Sequence, residues 1–159
     1  MSKPEVILYC DGACLGNPGP GGWGVVLRYG NHERELAGGE PLTTNQRMEL
    51  RAAIEGLKAL RRPCRVRLHS DSAYLINCFT QRWYETWEKN GWKNRGKKPV
   101  ENRDLWEELT RLNRLQEIEW IKVRGHSGDP LNERCDELAR QAAAEFATRP
   151  ASPKGSARY

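Results

Sequence analysis

Four acidic residues stand where apolar sequence gives way to polar. Asp11 directly follows the apolar run Val6 to Cys10, and Asp71 follows the alternating segment Val66 to Ser70. Glu49 precedes Leu50 at the edge of an apolar stripe, and Asp136 follows Cys135, with Asn132 one helical turn earlier on the same face. Each has an ordinary role open to it: a turn or cap for the two aspartates, an ion pair for Glu49, helix solubility for Asp136 and Asn132. Together they point to other chemistry. Clustered carboxylates repel unless a cation neutralises them, and oxygen donors without neighbouring His or Cys favour Mg2+ or Mn2+ over zinc. Two such ions about 4 Å apart can activate water and stabilise the leaving oxygen of an in-line phosphoryl displacement.

Other ligand types offer no competing site. Cys10, Cys14, Cys64, Cys78 and Cys135 contain no Cys-x-x-Cys pair, and His32, His69 and His126 are scattered, so neither zinc spacing nor a disulfide framework is present. Free thiols fit a reducing compartment. The 159-residue chain has 26 Lys and Arg against 21 Asp and Glu, a net charge of +5. Most of that excess sits in one place, since Arg82 to Arg103 holds seven basic and three acidic residues, together with three of the six Trp. No apolar run approaches the roughly 20 residues of a membrane span, and no charged start with a hydrophobic stretch reads as a signal peptide. A soluble, cytoplasmic, single-domain protein is expected.

The elements that must carry the acids follow from periodicity. Val6 to Cys10 is apolar on both faces, as in a strand buried on both sides, so Asp11 falls at a strand end. Gly12 to Gly22, with five Gly and two Pro, reads as turn-rich, and strands over Trp23 to Tyr29 and His32 to Ala37 complete an antiparallel meander. Leu50, Ala53, Ile54, Leu57 and Leu60 recur at helical spacing. Thr43 with Gln46 resembles a capping box, so this helix starts near Thr44 and ends before Pro63. A strand over Val66 to Ser70, a helix from Ala73, a helix over Leu105 to Leu115 and a strand over Ile118 to Val123 come next. Pro130 opens a last helix, with Cys135, Leu138, Ala139, Ala142 and Phe146 on its apolar stripe. Residues 1–148 are expected to form the domain, with 82–103 a basic protrusion and its flanks, and 149–159 a flexible tail.

Longer motifs carry a resemblance. These are Asp11-Gly-Ala-Cys-Leu-Gly-Asn-Pro-Gly-Pro-Gly-Gly-Trp23, Thr43-Thr-Asn-Gln-Arg-Met-Glu-Leu50, Asp71-Ser-Ala-Tyr74, Gly91-Trp92 with Lys97-Lys-Pro-Val100, Asn102, and Gly125-His126 through Asn132-Glu-Arg-Cys-Asp136-Glu-Leu-Ala139. Over about Val6 to Ala147 the chain resembles the type 1 bacterial ribonucleases H, which cleave the RNA strand of RNA/DNA hybrids. The resemblance implies an α/β fold, a five-stranded mixed sheet of order 3-2-1-4-5 with helices on both faces. It implies a monomeric, metal-dependent endoribonuclease leaving 5′-phosphate and 3′-hydroxyl ends, with two Mg2+ per site when substrate is bound, or Mn2+. Asp11, Glu49, Asp71 and Asp136 become the catalytic metal ligands, and His126 assists proton movement or product release. Cys14, Asn17, Asn45 and Gln46 would contact the hybrid backbone, and Thr44 with Asn17 would cradle a DNA phosphate. Asn132 joins the substrate contacts. Lys97 and Lys98 on the protrusion would grip the DNA strand, whose groove Trp83 and Asn102 would line, while Trp87, Trp92 and Trp106 mainly pack. The 2′-hydroxyl distinguishes the strands, and short amides such as Asn45 and Gln46 can read it.

The sequence departs from its relatives at Ala73, where a longer polar side chain is common, and at Gln46, which replaces a common Asn but keeps the amide. Glu88, Asn90 and Glu101 dilute the protrusion's charge. Two rival readings are a DNA nuclease such as a junction resolvase or transposase core, and a hybrid-binding module without catalysis. The basic protrusion and the Asp-Gly-x-Cys loop oppose the first, and four intact acids oppose the second.

Overall fold

A computed structural model describes residues 3–124 and 128–148. The strand that is apolar on both faces is the central one: β1 (Glu5–Cys14) stands in the middle of a sheet ordered β3-β2-β1-β4-β5. β2 (Gly19–Tyr29) and β3 (His32–Thr43) pair antiparallel beside it, whereas β4 (Arg65–Ser70) and β5 (Glu117–Lys122) run parallel to it. The expected order and mixed character are thus observed.

Five helices cover the two faces: α1 (Asn45–Lys58), α2 (Ala73–Thr80), α3 (Trp83–Asn90), α4 (Arg103–Leu115) and α5 (Pro130–Thr148). A side chain at Gly21 would meet Met48 of α1, and one at the next residue, Gly22, would meet Ala139 of α5, so these helices lie on opposite faces. The α1 side holds the larger core, where Leu8, Val25, Leu50, Ile54, Leu68, Leu75 and Trp106 are fully buried. Trp106 alone removes on the order of 200 Å² from water, about 5 kcal/mol of gross hydrophobic stabilisation. Its Nε1–H donates to the Tyr74 hydroxyl at 3.1 Å, which removes the cost of burying the indole nitrogen. On the other face, α5 covers Tyr9 and Val26 with Cys135 and Leu138.

Several boundaries differ from expectation. β1 runs on to Cys14, paired with β2 as far as Gly21, so much of the glycine-rich stretch is strand and only residues 15–18 turn. These glycines serve close approach: a Cβ at Gly22 or Gly24 would lie within 2.6 Å of α5 backbone atoms. β3 extends to Thr43 because Gly38 and Gly39 continue the pairing opposite Trp23 and Gly22. The cap of α1 is Thr44, whose Oγ1 accepts the Arg47 N–H at 3.2 Å; the box expected from Thr43 and Gln46 does not form, since Arg47 stands where it would need Glu or Gln.

The basic segment is a short helix followed by a turn. α3 buries no residue fully, and its indoles anchor it: Trp87 lies 5.8 Å from Trp92 and 5.6 Å from Trp106, ring centre to ring centre. Beyond it Asn94 organises the tip, its Oδ1 accepting the Gly96 and Lys98 N–H groups at 2.9 and 3.1 Å.

Candidate active site

β4 ends at Ser70 and its last partner on β1 is Tyr9, so Asp11 lies just past the parallel ladder while β1 continues beside β2. Asp71 follows Ser70 at the same end of the sheet. Ser72 caps α2 by accepting the Leu75 N–H at 3.1 Å, and this turns the chain immediately after Asp71. Glu49 arrives from the first turns of α1, which can touch β1 because Gly12 has no side chain: a Cβ there would be 2.4 Å from the Glu49 nitrogen. Asp11, Glu49 and Asp71 thereby bring one carboxylate oxygen each within 4.8 Å of one another.

With Gly12, Asn45, Asn132, Glu133 and Asp136 these acids line a cleft of about 200 Å³. Asp136 is a wall residue outside the tight trio, and Arg140, one turn along α5, donates to it at 2.8 Å. Asn132 is buried, and its Oδ1 has no hydrogen-bond partner among the described residues. A buried amide oxygen beside an acidic cleft is an acceptor waiting for a cation, a water or a ligand hydroxyl. Glu133 was not anticipated as a lining residue; its position next to Asn132 in the first turn of α5 was the available signal.

Electrostatics suit the trio to a cation. Burial, and after it the neighbouring Asp71, raise the Asp11 carboxyl to about 8, with the Gly12 N–H, donating to Asp11 Oδ1 at 2.9 Å, working against the rise. Burial likewise lifts Glu49 to about 7, against a hydrogen bond with Ser72, and Asp71 adds to the lift. The donors are all oxygens, since the buried Cys10 thiol turns away toward the His69 carbonyl. This set fits hard divalent cations.

The expected substrate contacts form a rim on α1 and the β1–β2 turn. Asn17 Oδ1 accepts the Asn45 N–H at 3.0 Å, which ties that turn to the start of α1 beside Thr44. Asn45 and Gln46 are exposed. Cys14 is half-buried, its thiol directed at the Gly19 and Thr43 carbonyls. Asn102 is held on both sides, accepting from Arg47 at 3.2 Å and donating to Tyr74 Oη at 3.2 Å. Trp83 is half-buried with its Nε1–H on Gln81. Ion pairs near the protrusion use Arg82 with Glu85, Arg114 with Glu88 and Arg103 with Glu107. Lys89, Lys93, Arg95, Lys97 and Lys98 are exposed and in no ion pair among the described residues. His126, and the tail at 149–159, lie outside the described residues.

A mixed sheet with a carboxylate cluster at the end of its central strands, a hard-cation donor set and a basic protrusion defines a metal-dependent nuclease class of fold and site. The RNase H family model matches residues 3–144, and the chain belongs to the ribonuclease H family. A Ribonuclease H of Symbiobacterium thermophilum is 61% identical over 140 residues, covering 88% of this chain and 95% of that one. Among solved structures, LC9-RNase H1, described as a type 1 RNase H with the type 2 active-site motif, superimposes with TM-score 0.82 at 36% identity, covering 92% of this chain and 75% of that one. LC11-RNase H1 in complex with RNA/DNA hybrid shares the fold at TM-score 0.69 and 21% identity, covering 88% and 97%.

Proposed function

We propose that this protein is an endoribonuclease that hydrolyses the RNA strand of RNA/DNA hybrids. The observation that carries this reading is the Asp11, Glu49, Asp71 trio, three oxygens within 4.8 Å of one another in a protein of this family. Asp11, Glu49 and Asp71 would hold Mg2+ or Mn2+, with Asp136 completing the set. When bound there, two such ions would activate a water and stabilise charge on the leaving oxygen, which would give 5′-phosphate and 3′-hydroxyl ends.

The chain's own residues supply position and specificity. The unpartnered Asn132 Oδ1 is available to a hydroxyl donor of the RNA strand. Asn45 and Gln46 present short amides at the exposed start of α1, and Asn17 with Thr44 offers polar groups to a phosphate on the paired DNA strand. The unpaired Lys97 and Lys98 neutralise further phosphates, with Trp83 and Asn102 along that path. His126 takes or gives a proton at the reacting phosphate or speeds product departure. Residues 1–148 form the working domain, to which 149–159 is dispensable. All five cysteines are free, which supports a reducing cytoplasmic setting, and no part of this reading needs a second copy of the chain.

The test is incubation of purified protein with labelled hybrid, duplex RNA and duplex DNA, with and without chelator. Cleavage of the hybrid alone, abolished by chelator, is the expected result. Cleavage of duplex DNA would make the protein a DNA nuclease, and binding without cleavage a hybrid-binding module.

A further inference from the structure

The contact that seats the first turn of α5 is made by a residue outside the acidic cluster. Asp129, just before Pro130, divides its carboxylate: Oδ1 accepts the Leu131 N–H at 3.1 Å, and Oδ2 accepts the Tyr9 hydroxyl at 2.8 Å. Its carbonyl also accepts the Glu133 N–H at 3.0 Å, so Asp129 caps the helix with both backbone and side chain. The other end of the Tyr9 bond is equally fixed. Tyr9 is 9% exposed in β1, and its ring stacks on His69 with centroids 4.2 Å apart and planes 3° from parallel. Tyr9 and His69 are register partners in the parallel ladder, and Asp11 and Asp71 follow them two residues further along the chain.

The same helical segment carries Asn132, Glu133 and Asp136 to the cleft. We propose that Tyr9 is a positioning residue: through its hydroxyl and Asp129 it fixes where Asn132 and Asp136 stand relative to Asp11 and Asp71. This rests on the metal-site reading above and deepens it. Packing does not require the hydroxyl, since the stack on His69 and the cluster with Val26, Cys135 and Leu138 use only the ring. What the oxygen adds is a directional tie across the junction of strand and helix. Side chains that orient a metal site are worth about 10- to 100-fold in affinity or activity.

Tyr9→Phe removes that one oxygen and keeps the ring. The hybrid KM is expected to stay unchanged while kcat falls about tenfold, as sub-ångström misplacement of reacting groups requires. Mn2+ affinity, measured by calorimetry without substrate, is expected to weaken about tenfold. The Leu131 amide, followed by hydrogen exchange, is expected to exchange faster. Asp129→Asn approaches from the other side, leaving a single oxygen where the carboxylate had two, and is expected to give a similar loss. Adding Tyr9→Phe to it should cost nothing more, because the two act as one unit. Wild-type kcat and Mn2+ affinity in Tyr9→Phe, or losses from the two substitutions that simply multiply, would overturn the proposal. Failure of the wild-type protein to cleave hybrid would overturn the proposed function instead, and Mn2+ affinity with hydrogen exchange would still decide the role of Tyr9.

Discussion

Arg140 donates to Asp136 at 2.8 Å across one turn of α5, so the fourth acid of the cleft carries its own counter-ion while Asp11, Glu49 and Asp71 crowd one another. The Arg140 side chain is 62% exposed, which limits such a pair to at most about 1 kcal/mol. Removing the guanidinium frees Asp136 for a cation. Arg140→Gln is expected to tighten Mn2+ binding by up to about fivefold, measured by calorimetry; weaker binding would show that Arg140 orients Asp136 rather than occupying it.

Asp11 is the acid most deeply set in the cluster, and its loss is the most direct test of the site. Asp11→Asn should lower hybrid cleavage by at least about 10²- to 10³-fold, the scale for removing a preorganised electrostatic group. Circular dichroism should show the fold intact. A rate near wild type would remove Asp11 from the chemistry.

Asp11 at about 8 and Glu49 at about 7 both stand above the ordinary carboxylate range near 4. Between about pH 4 and pH 8 the folded chain therefore holds more protons than the unfolded chain, and stability falls as pH rises through that window. The slope reaches about 1.4 kcal/mol per pH unit for each group whose protonation differs fully. In chelator the melting temperature should drop from pH 5 to pH 8, and Asp11→Asn or added Mg2+ should flatten the drop. Scanning calorimetry of wild type and variant at both pH values provides the comparison, and parallel curves would contradict a raised Asp11 carboxyl.

His126→Ala should slow turnover by about 10²- to 10⁴-fold without ending it, the usual worth of general acid or base assistance. Steady-state turnover across neutral pH gives the measurement, and single-turnover rates separate proton transfer from product departure. An unchanged profile would leave His126 without a part in the reaction.

Lys97 and Lys98 carry charge that no ion pair among the described residues uses. Replacing both by Ala should raise KM, leave kcat nearly unchanged, and flatten the salt dependence of binding by up to about two phosphate contacts. Trp83→Ala should raise KM with little change in salt slope, since an indole releases no counterions. Steady-state kinetics over a salt series distinguish the two effects; a double Lys variant with the wild-type slope would move the substrate grip elsewhere.

The buried first strand and the border positions of the four acids were legible because they depend on local pattern: a doubly apolar strand, two aspartates after strands, an acid at the edge of a stripe; the sheet order came only with the resemblance. The length of β1 was not. Glycines that turn a chain and glycines that admit a neighbour look alike in sequence, and the neighbours of Gly22 and Gly24 are α5 residues more than a hundred positions away. The Arg140 pairing with Asp136 was open to reading, since four-residue spacing on a helix suffices. The Tyr9 bond to Asp129 was not, because nothing local links positions 120 residues apart. Nor could periodicity show that the Asn132 oxygen is buried without a partner.

Gly22 and Gly24 also make α5 a gauge. Because the helix rests directly on bare backbone at these two points, the closest approach of Asp136 and Asn132 to the sheet is limited by the thickness of a peptide plane, and side-chain ties such as Tyr9 to Asp129 act only above that limit. Side chains can change rotamer and be replaced by others of similar size; a peptide plane cannot be thinned or thickened. The spacing across the cleft therefore has a hard lower stop on this side, and every substitution that adds atoms at those two positions can act only by prying the α5 wall away from β2.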